Sequence, residues 1–205
     1  MFQSAPGRSL VTRATSASSF GNVTRLAAVA FAVALTAAAA QVAVPLPFTS
    51  VPFVLTPLVV LLTAAALGSR LGAAAQLAYL AAGIAGLPVF APSVTLPPGA
   101  LRLFGPTGGY LLAYPVAAFV TGWLAERRWD RRYLTAAAAM IAGLLIIFAG
   151  GVLWLVAGVH LQFFAALATG FTPFIIADIL KVGVAAMVLP ATARLIGTGP
   201  DAENP

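Results

Sequence analysis

Two ionisable residues interrupt an apolar run near the C-terminus, in the stretch TPFIIADILKVGVAAMVL. Asp178 and Lys181 are three residues apart, and residues at i and i+3 lie on one face of a helix. A charge at the centre of a bilayer costs at least ~2.5–3.5 kcal/mol, so such residues usually face a partner or a water-filled cavity. We expect the pair to present an acceptor and a donor to a bound ligand. An inert intrahelical salt bridge and a proton relay remain the alternatives.

Other kinds of chemistry are excluded by what the chain lacks. It has no cysteine, which excludes disulfides, thiolate catalysis and zinc–thiolate sites. Its single histidine, His160, cannot form a histidine cluster. The phosphate-binding pattern G-x-x-x-x-G-K-[ST] is absent, so the chain cannot bind ATP by that device. We therefore expect no catalytic residues, no metal and no cofactor, and we expect that the protein is not an enzyme.

The elements that must position the pair are membrane helices. The chain is 61% hydrophobic and 8% charged, with a mean hydropathy of +1.01, whereas soluble domains carry roughly 25% charged residues. A bilayer core of ~30 Å needs ~20 apolar residues. We predict an all-α integral membrane protein with six transmembrane helices, at residues 26–44, 54–67, 71–87, 107–125, 133–158 and 173–196.

Arginine distribution orients these helices. Only Arg102 falls on one side of the membrane if the six helices alternate, and nine arginines fall on the other: Arg8, Arg13, Arg25, Arg70, Arg127, Arg128, Arg131, Arg132 and Arg194. An excess of arginine marks cytoplasmic segments. We predict that both termini are cytoplasmic, with an N-terminal arm at 1–25, a substrate-binding membrane domain at 26–197 and a tail at 198–205. Residues 26–40 also resemble a signal peptide, but we expect that they are retained.

The predicted outer loops are nearly uncharged and rich in proline and phenylalanine, in VPLPFTSVPF and PVFAPSVTLPPGALRLFGPTGGY. Proline limits loop entropy, and a mobile solvated loop would be more polar. We expect these loops to fold over something apolar; the alternative is loops packed on helix ends with nothing beneath. In GPTGGY, Thr107 can cap the fourth helix, exposed N–H groups there could hold an anion, and Gly108 and Gly109 can allow close helix packing.

Three stretches, in this order and spacing, resemble the BioY family, the biotin-binding S components of energy-coupling factor (ECF) transporters. They are VPLPFTSVPFVLTPLVVLLTAAALGSRLGAAAQLAYLAAGIAGLPVFA, FGPTGGYLLAYPVAAFVTGWLAER and TPFIIADILKVGVAA. The resemblance implies a six-helix subunit of a bacterial or archaeal cytoplasmic membrane that takes up biotin. It also implies partners: a transmembrane coupling subunit and two ATPases, which alone would bind ATP. An S component for another vitamin and a proton-coupled carrier using Asp178 are the alternatives.

The resemblance assigns roles to individual residues. Asp178 would accept from the ureido N–H groups of biotin, and Lys181 would donate to the ureido carbonyl. Arg102 is a candidate for the ligand's carboxylate, with Thr107 beside it. The apolar part of the ligand would contact aromatic residues, namely Phe48, Phe53, Phe90 and Tyr110.

The first predicted helix carries alanines at small-xxx-small spacing, which permits close helix–helix approach. The pairs are Ala28 with Ala32 and Ala30 with Ala34. The family resemblance implies that this face contacts the coupling subunit.

Overall fold

A computed structural model describes residues 21–93 and 95–195, apart from the side chains of residue 131 and of residues 188–195. This part of the chain contains seven α-helices, two two-residue strands and two short 3₁₀ turns, Ala100–Phe104 and Trp129–Arg131. The helices are α1 Gly21–Gln41, α2 Thr56–Leu67, α3 Ser69–Ile84, α4 Gly108–Glu126, α5 Tyr133–Ala157, α6 Phe163–Gly170 and α7 Thr172–Leu195. The strands β1 Ala43–Val44 and β2 Phe53–Val54 pair antiparallel, with Ala43 opposite Val54 and Val44 opposite Phe53.

Three of these helices are long and apolar enough to cross a membrane, namely α1, α4 and α5. A fourth candidate span consists of α6 followed by α7, which are bent by 41° relative to each other. At 12 and 16 residues, α2 and α3 are only about 18 and 24 Å long at 1.5 Å per residue. The structure thus shows a mostly helical protein with three to four candidate spans in its described part.

The centre of the bundle is α4, which packs against α2, α3 and α5. Fully buried side chains such as Leu61, Met140 and Leu144 fill the space between them. Glycines allow the helices to approach closely: a Cβ atom at Gly109 would clash with Trp154 of α5 and with the carbonyl oxygen of Gly150. The predicted close packing at this glycine is confirmed.

The helix boundaries follow local chemistry. Gly68 alone separates α2 from α3, and its φ of 87° is one that residues with a side chain rarely adopt. Pro57 lies in the first turn of α2, where its missing N–H leaves no helical hydrogen bond unmade. Gly170 ends α6, and the chain bends there before α7 begins.

Two local features differ from the sequence prediction. Residues 43–44 and residue 54 were expected at the ends of helices and residue 53 in the loop between them, but all four form the β1–β2 ribbon. Residues 163–170 were expected in a loop, but they form α6. Both elements are short. Their backbone N–H and C=O groups form hydrogen bonds within the ribbon or within α6, and neither element is part of a helix long enough to cross a membrane.

Candidate functional site

A cavity of about 480 Å³ lies at the end of the bundle where the α1–α2 and α3–α4 loops meet. This volume is within the range of small-molecule sites, which are typically ~300–1,000 Å³. Both Pro- and Phe-rich loops line it, so the expectation of loops with nothing beneath them is excluded. The loops therefore border a partly open cavity large enough to hold a small ligand.

One wall of the cavity is a single face of α4. Thr107, Tyr110, Leu111 and Tyr114 line the cavity, and their spacing of three, four and seven residues is that of one helix face. The hydroxyl of Tyr110 donates to the carbonyl oxygen of Gly170 at 2.6 Å. This contact ties α4 to the bend between α6 and α7.

The opposite wall comes from α7 and carries the ionisable pair. Asp178 lines the cavity beside Phe174. The ammonium nitrogen of Lys181 lies 2.7 Å from Asp178 Oδ1 and 3.0 Å from the carbonyl oxygen of Val54. It also lies 3.5 Å from the centre of the Phe53 ring. The expected pair forms, with Asp178 at the cavity wall and Lys181 behind it, in contact with strand β2.

Arg102 is buried, with 9% of its surface exposed, and it lines the cavity from the α3–α4 loop. Its Nη1 donates to the carbonyl oxygen of Ala91 at 2.8 Å, and its Nε donates to that of Pro97 at 3.1 Å. Burial lowers the pKa of this guanidinium, but arginine keeps its charge over the physiological range. Arg102 therefore holds its own loop in shape and brings a cation to the cavity.

The remaining predicted site residues divide into those at the cavity and one away from it. Phe53, Phe90 and Tyr110 line it, as expected for aromatic contacts. Phe48 does not line it and is 61% exposed, so we leave it out of the site. Thr107 lines the cavity, but its side chain makes no capping hydrogen bond to α4. The predicted side-chain cap is wrong because Thr107 has helical φ and ψ of −90° and −6° rather than the extended backbone of a capping residue.

Several cavity residues were not predicted. Tyr79, Tyr114, Phe148 and Phe174 all line the cavity. Helical spacing could have revealed two of them, because Tyr114 follows Tyr110 by four residues and Phe174 precedes Asp178 by four. No comparable signal points to Tyr79 or Phe148.

Hydrogen bonds from side chains to backbone carbonyl oxygens connect both covering loops to neighbouring helices. Thr49 Oγ1 in the first loop donates to the carbonyl oxygen of Thr169 at 2.7 Å. The hydroxyl of Tyr79 donates to Val89 at 3.1 Å in the second loop. Gln41, at the end of α1, donates to Pro88 at 3.2 Å in the same loop. These bonds connect the cover of the cavity to three different helical regions.

The alanine pairs on α1 do not share one environment. Ala32 is buried at 1% exposure and packs in a cluster with Leu67 and Ala75, and Ala28 packs partly against the same cluster. Ala32 is therefore covered by α2 and α3 of the same chain, whereas Ala28 is only partly covered, and contact of this pair with a coupling subunit stays a prediction. Ala30 and Ala34 are exposed, so their role in docking stays a prediction.

No metal centre is evident in the part of the chain that the structure describes. Within it, no group of three or more His, Cys, Asp or Glu side chains could hold a metal ion. The fold and the site together define a helical membrane protein with a partly open cavity of small-molecule size and a largely buried ion pair at its wall.

Comparison with known proteins identifies the family. The sequence profile of the BioY family matches residues 11–198, and the chain belongs to that family. It is 41% identical over 145 residues to "Biotin transporter BioY" of Thermotoga maritima, covering 71% of this chain and 82% of the relative. It is 38% identical over 160 residues to "Probable biotin transporter BioY" of Pyrococcus horikoshii, covering 78% and 90%.

A solved structure shares the fold. The crystal structure of the S-component for biotin from an ECF-type ABC transporter superposes with a TM-score of 0.77. The two sequences are 22% identical, and the match covers 86% of this chain and 94% of the other. The arrangement of helices is therefore that of an S component.

Proposed function

We propose that this protein binds biotin in the cavity and mediates its uptake across the membrane. The observation that carries the proposal is a partly open cavity with Asp178 at its wall, held by Lys181 at 2.7 Å. Membership of the BioY family supports it, since the relatives are named biotin transporters. Transport rather than catalysis is the activity of this family, so the protein is not an enzyme.

The polar end of biotin matches the ion pair. The ureido ring offers two N–H donors and one carbonyl acceptor, and the Asp178 carboxylate accepts from the N–H groups. The Lys181 ammonium has three donors, of which Asp178 and the carbonyl oxygen of Val54 occupy two. Lys181 lies behind Asp178 and does not line the cavity, so its third donor would have to reach the ureido carbonyl past the Asp178 carboxylate.

The rest of the ligand matches the other walls. Phe53, Phe90 and Tyr110 would contact the bicyclic ring and the valeryl chain, together with Tyr79 and Phe174. Biotin's carboxylate needs a cation, and Arg102 has donors to spare. A guanidinium has five N–H groups, and two of those of Arg102 bind its own loop. Thr107 lies on the same cavity lining.

Energy for transport would come from partners. We propose an ECF coupling subunit and two ATPases, because the solved neighbour is described as the S-component of an ECF-type transporter. The coupling subunit would contact the exposed Ala30 and Ala34 of α1. Co-purification of the chain with such a module should be lost in Ala30→Leu/Ala34→Leu, while biotin binding remains. Retention of the complex would place the interface elsewhere.

Topology is the third part of the proposal. We propose six spans in a bacterial or archaeal cytoplasmic membrane, with an arm at 1–25, a membrane domain at 26–197 and a tail at 198–205. Both termini would be cytoplasmic. Reporter fusions at residue 205 and next to Arg128 should both report cytoplasm. An external signal at either position would overturn the six-span arrangement.

Uptake by cells tests the proposal as a whole. A biotin auxotroph expressing the chain with its ECF module should accumulate labelled biotin, and a protonophore should not abolish binding by the purified protein. Uptake of a different vitamin but not biotin would assign the cavity another ligand. Binding that requires a proton gradient would favour a proton-coupled carrier relying on Asp178.

A further inference from the structure

The α2–α3 turn meets the end of α4 at the end of the bundle opposite the cavity. A Cβ atom at Gly122 would clash with backbone atoms of Gly68 and Ser69, so α4 lies directly against this turn. The Glu126 carboxylate accepts from the backbone N–H of Ser69 at 2.9 Å and from its hydroxyl at 3.0 and 3.1 Å. Because Ser69 and Glu126 are in contact, the next residues along the chain, Arg70 and Arg127, are brought to the same corner.

These bonds leave the two arginines without a carboxylate. Glu126 is engaged at the N-terminus of α3, where a negative charge is favourable. Within residues 21–93 and 95–195, no ion pair joins Arg70 or Arg127 to an acidic side chain. Both side chains are exposed. The corner therefore presents two exposed cations that no carboxylate in residues 21–93 and 95–195 pairs with.

An aromatic side chain sets the orientation of one of these cations. The Arg127 guanidinium stacks on the Trp123 ring, 3.1 Å from its centre. Trp123 is itself 42% exposed on α4, a candidate membrane span. Exposed tryptophan at the end of a span is typical of the headgroup region. A guanidinium stacked on a ring keeps its edge of N–H groups free, which suits the oxygens of a phosphate.

We propose that Arg70, Arg127 and Trp123 form a binding site for the phosphate of an anionic phospholipid. The exposed ring places the site at the membrane surface, where lipid phosphates are the abundant anions, and this favours lipid over a soluble phosphate. The site lies on the side that the arginine distribution predicts to be cytoplasmic, where anionic lipids attract basic segments. It does not depend on the identity of the ligand in the cavity.

Quenching of Trp123 by brominated lipid tests this site in the full-length chain. The variant Trp129→Phe/Trp154→Phe leaves Trp123 as the only tryptophan. In mixed bilayers, brominated phosphatidylglycerol should quench it at lower mole fraction than brominated phosphatidylcholine. Arg127→Gln and Arg70→Gln should each reduce this preference by about fivefold, the effect expected of one arginine at an anionic surface.

A matched variant separates a site from a diffuse charge effect. Arg25→Gln removes the same charge from α1 and should leave the preference unchanged. Equal quenching by the two lipids, or an equal loss in Arg25→Gln, would overturn the proposal. Trp154 donates to the Gly105 carbonyl oxygen at 2.9 Å, so its replacement could affect folding. A second measurement avoids it: phosphatidylglycerol, but not inorganic phosphate, should raise the melting temperature of the otherwise unaltered chain, and Arg127→Gln should remove that rise.

Discussion

Replacing the two members of the ion pair separately and together distinguishes ligand binding from a purely structural role. The variants are Asp178→Asn, Lys181→Met and the double replacement. Asn keeps one acceptor and loses the charge, while Met keeps the apolar stem of lysine and loses the ammonium. Thr121→Val is the matched control, because Thr121 is a fully buried polar residue of α4 that does not line the cavity.

The expected loss of stability follows from burial and contacts. The side chains of Lys181 and Asp178 are only 15% and 8% exposed, so the pair resembles a buried ion pair rather than a surface pair worth ~0–1 kcal/mol. Lys181→Met leaves the Asp178 carboxylate unpaired, which costs about 3–5 kcal/mol. Asp178→Asn should cost less, since an amide oxygen still accepts from the ammonium at 2.7 Å. The double variant removes both charges and should be more stable than Lys181→Met.

Biotin affinity should follow a different order. Each single replacement removes a hydrogen bond to a charged group, worth ~1.5–3 kcal/mol, and should weaken binding about ten- to a hundredfold. The double variant should bind weakest although it folds better than Lys181→Met. Thr121→Val should bind as the wild type does.

Chemical unfolding in detergent gives the stabilities, and calorimetric titration gives the affinities. The reasoning is refuted if the double variant folds and binds biotin with unchanged affinity, because the ligand would then lie elsewhere. Equal loss of stability and of affinity across all three variants would indicate that the pair is structural.

Three further predictions concern the cover of the cavity and the packing beneath it. Thr49→Val removes the hydrogen bond to Thr169 and should speed biotin dissociation about two- to tenfold, because one such bond contributes ~0.5–1.5 kcal/mol. Thr49→Ser keeps the hydroxyl and should not change the dissociation rate. Stopped-flow measurement of biotin release gives both rates. Gly109→Ala should destabilise the chain by about 1–3 kcal/mol, because the added methyl group meets α5, and an unchanged midpoint of chemical unfolding would contradict the packing described. Proteolytic nicking between Pro92 and Arg102 should slow when biotin is bound, and identical rates with and without biotin would show that this loop does not close over the ligand.

The long helices were predictable because their apolar runs are sufficient to define them. The predicted bounds of 107–125 and 133–158 differ by one residue at each end at most from α4 and α5. Short elements were not predictable in this way. The eight residues of α6 are too few for a stable isolated helix, and the contact of Tyr110 with the Gly170 carbonyl oxygen, 60 residues away in sequence, helps to position its end.

Charged site residues were easier to predict than aromatic ones. Asp178 and Lys181 can be recognised in the sequence because ionisable residues are rare inside apolar segments. Tyr79 lies on a helix whose apolar residues show little preference for one face, so no pattern indicates that its ring faces the cavity. Phe48 and Phe53 belong to one loop without helical periodicity, and the β1–β2 ribbon, which contains Phe53, was not predicted.

The position of Arg102 shows a further limit of sequence reasoning. A lone arginine in a loop is commonly solvated, so its residue type alone does not indicate burial. Its partners are the backbone carbonyl oxygens of Ala91 and Pro97. Any residue could supply such oxygens, so only the folded loop reveals that this cation is buried beside the cavity.

The central claim is that the cavity binds biotin by itself, without a partner or a gradient. Calorimetric titration of the detergent-purified chain with biotin, and in parallel with thiamine and riboflavin, tests it most directly. We expect saturable binding of biotin at one site per chain, weakened at least about tenfold in Asp178→Asn, and no heat with the other two vitamins. Absence of biotin binding by folded protein, or equal binding by Asp178→Asn, would contradict the account.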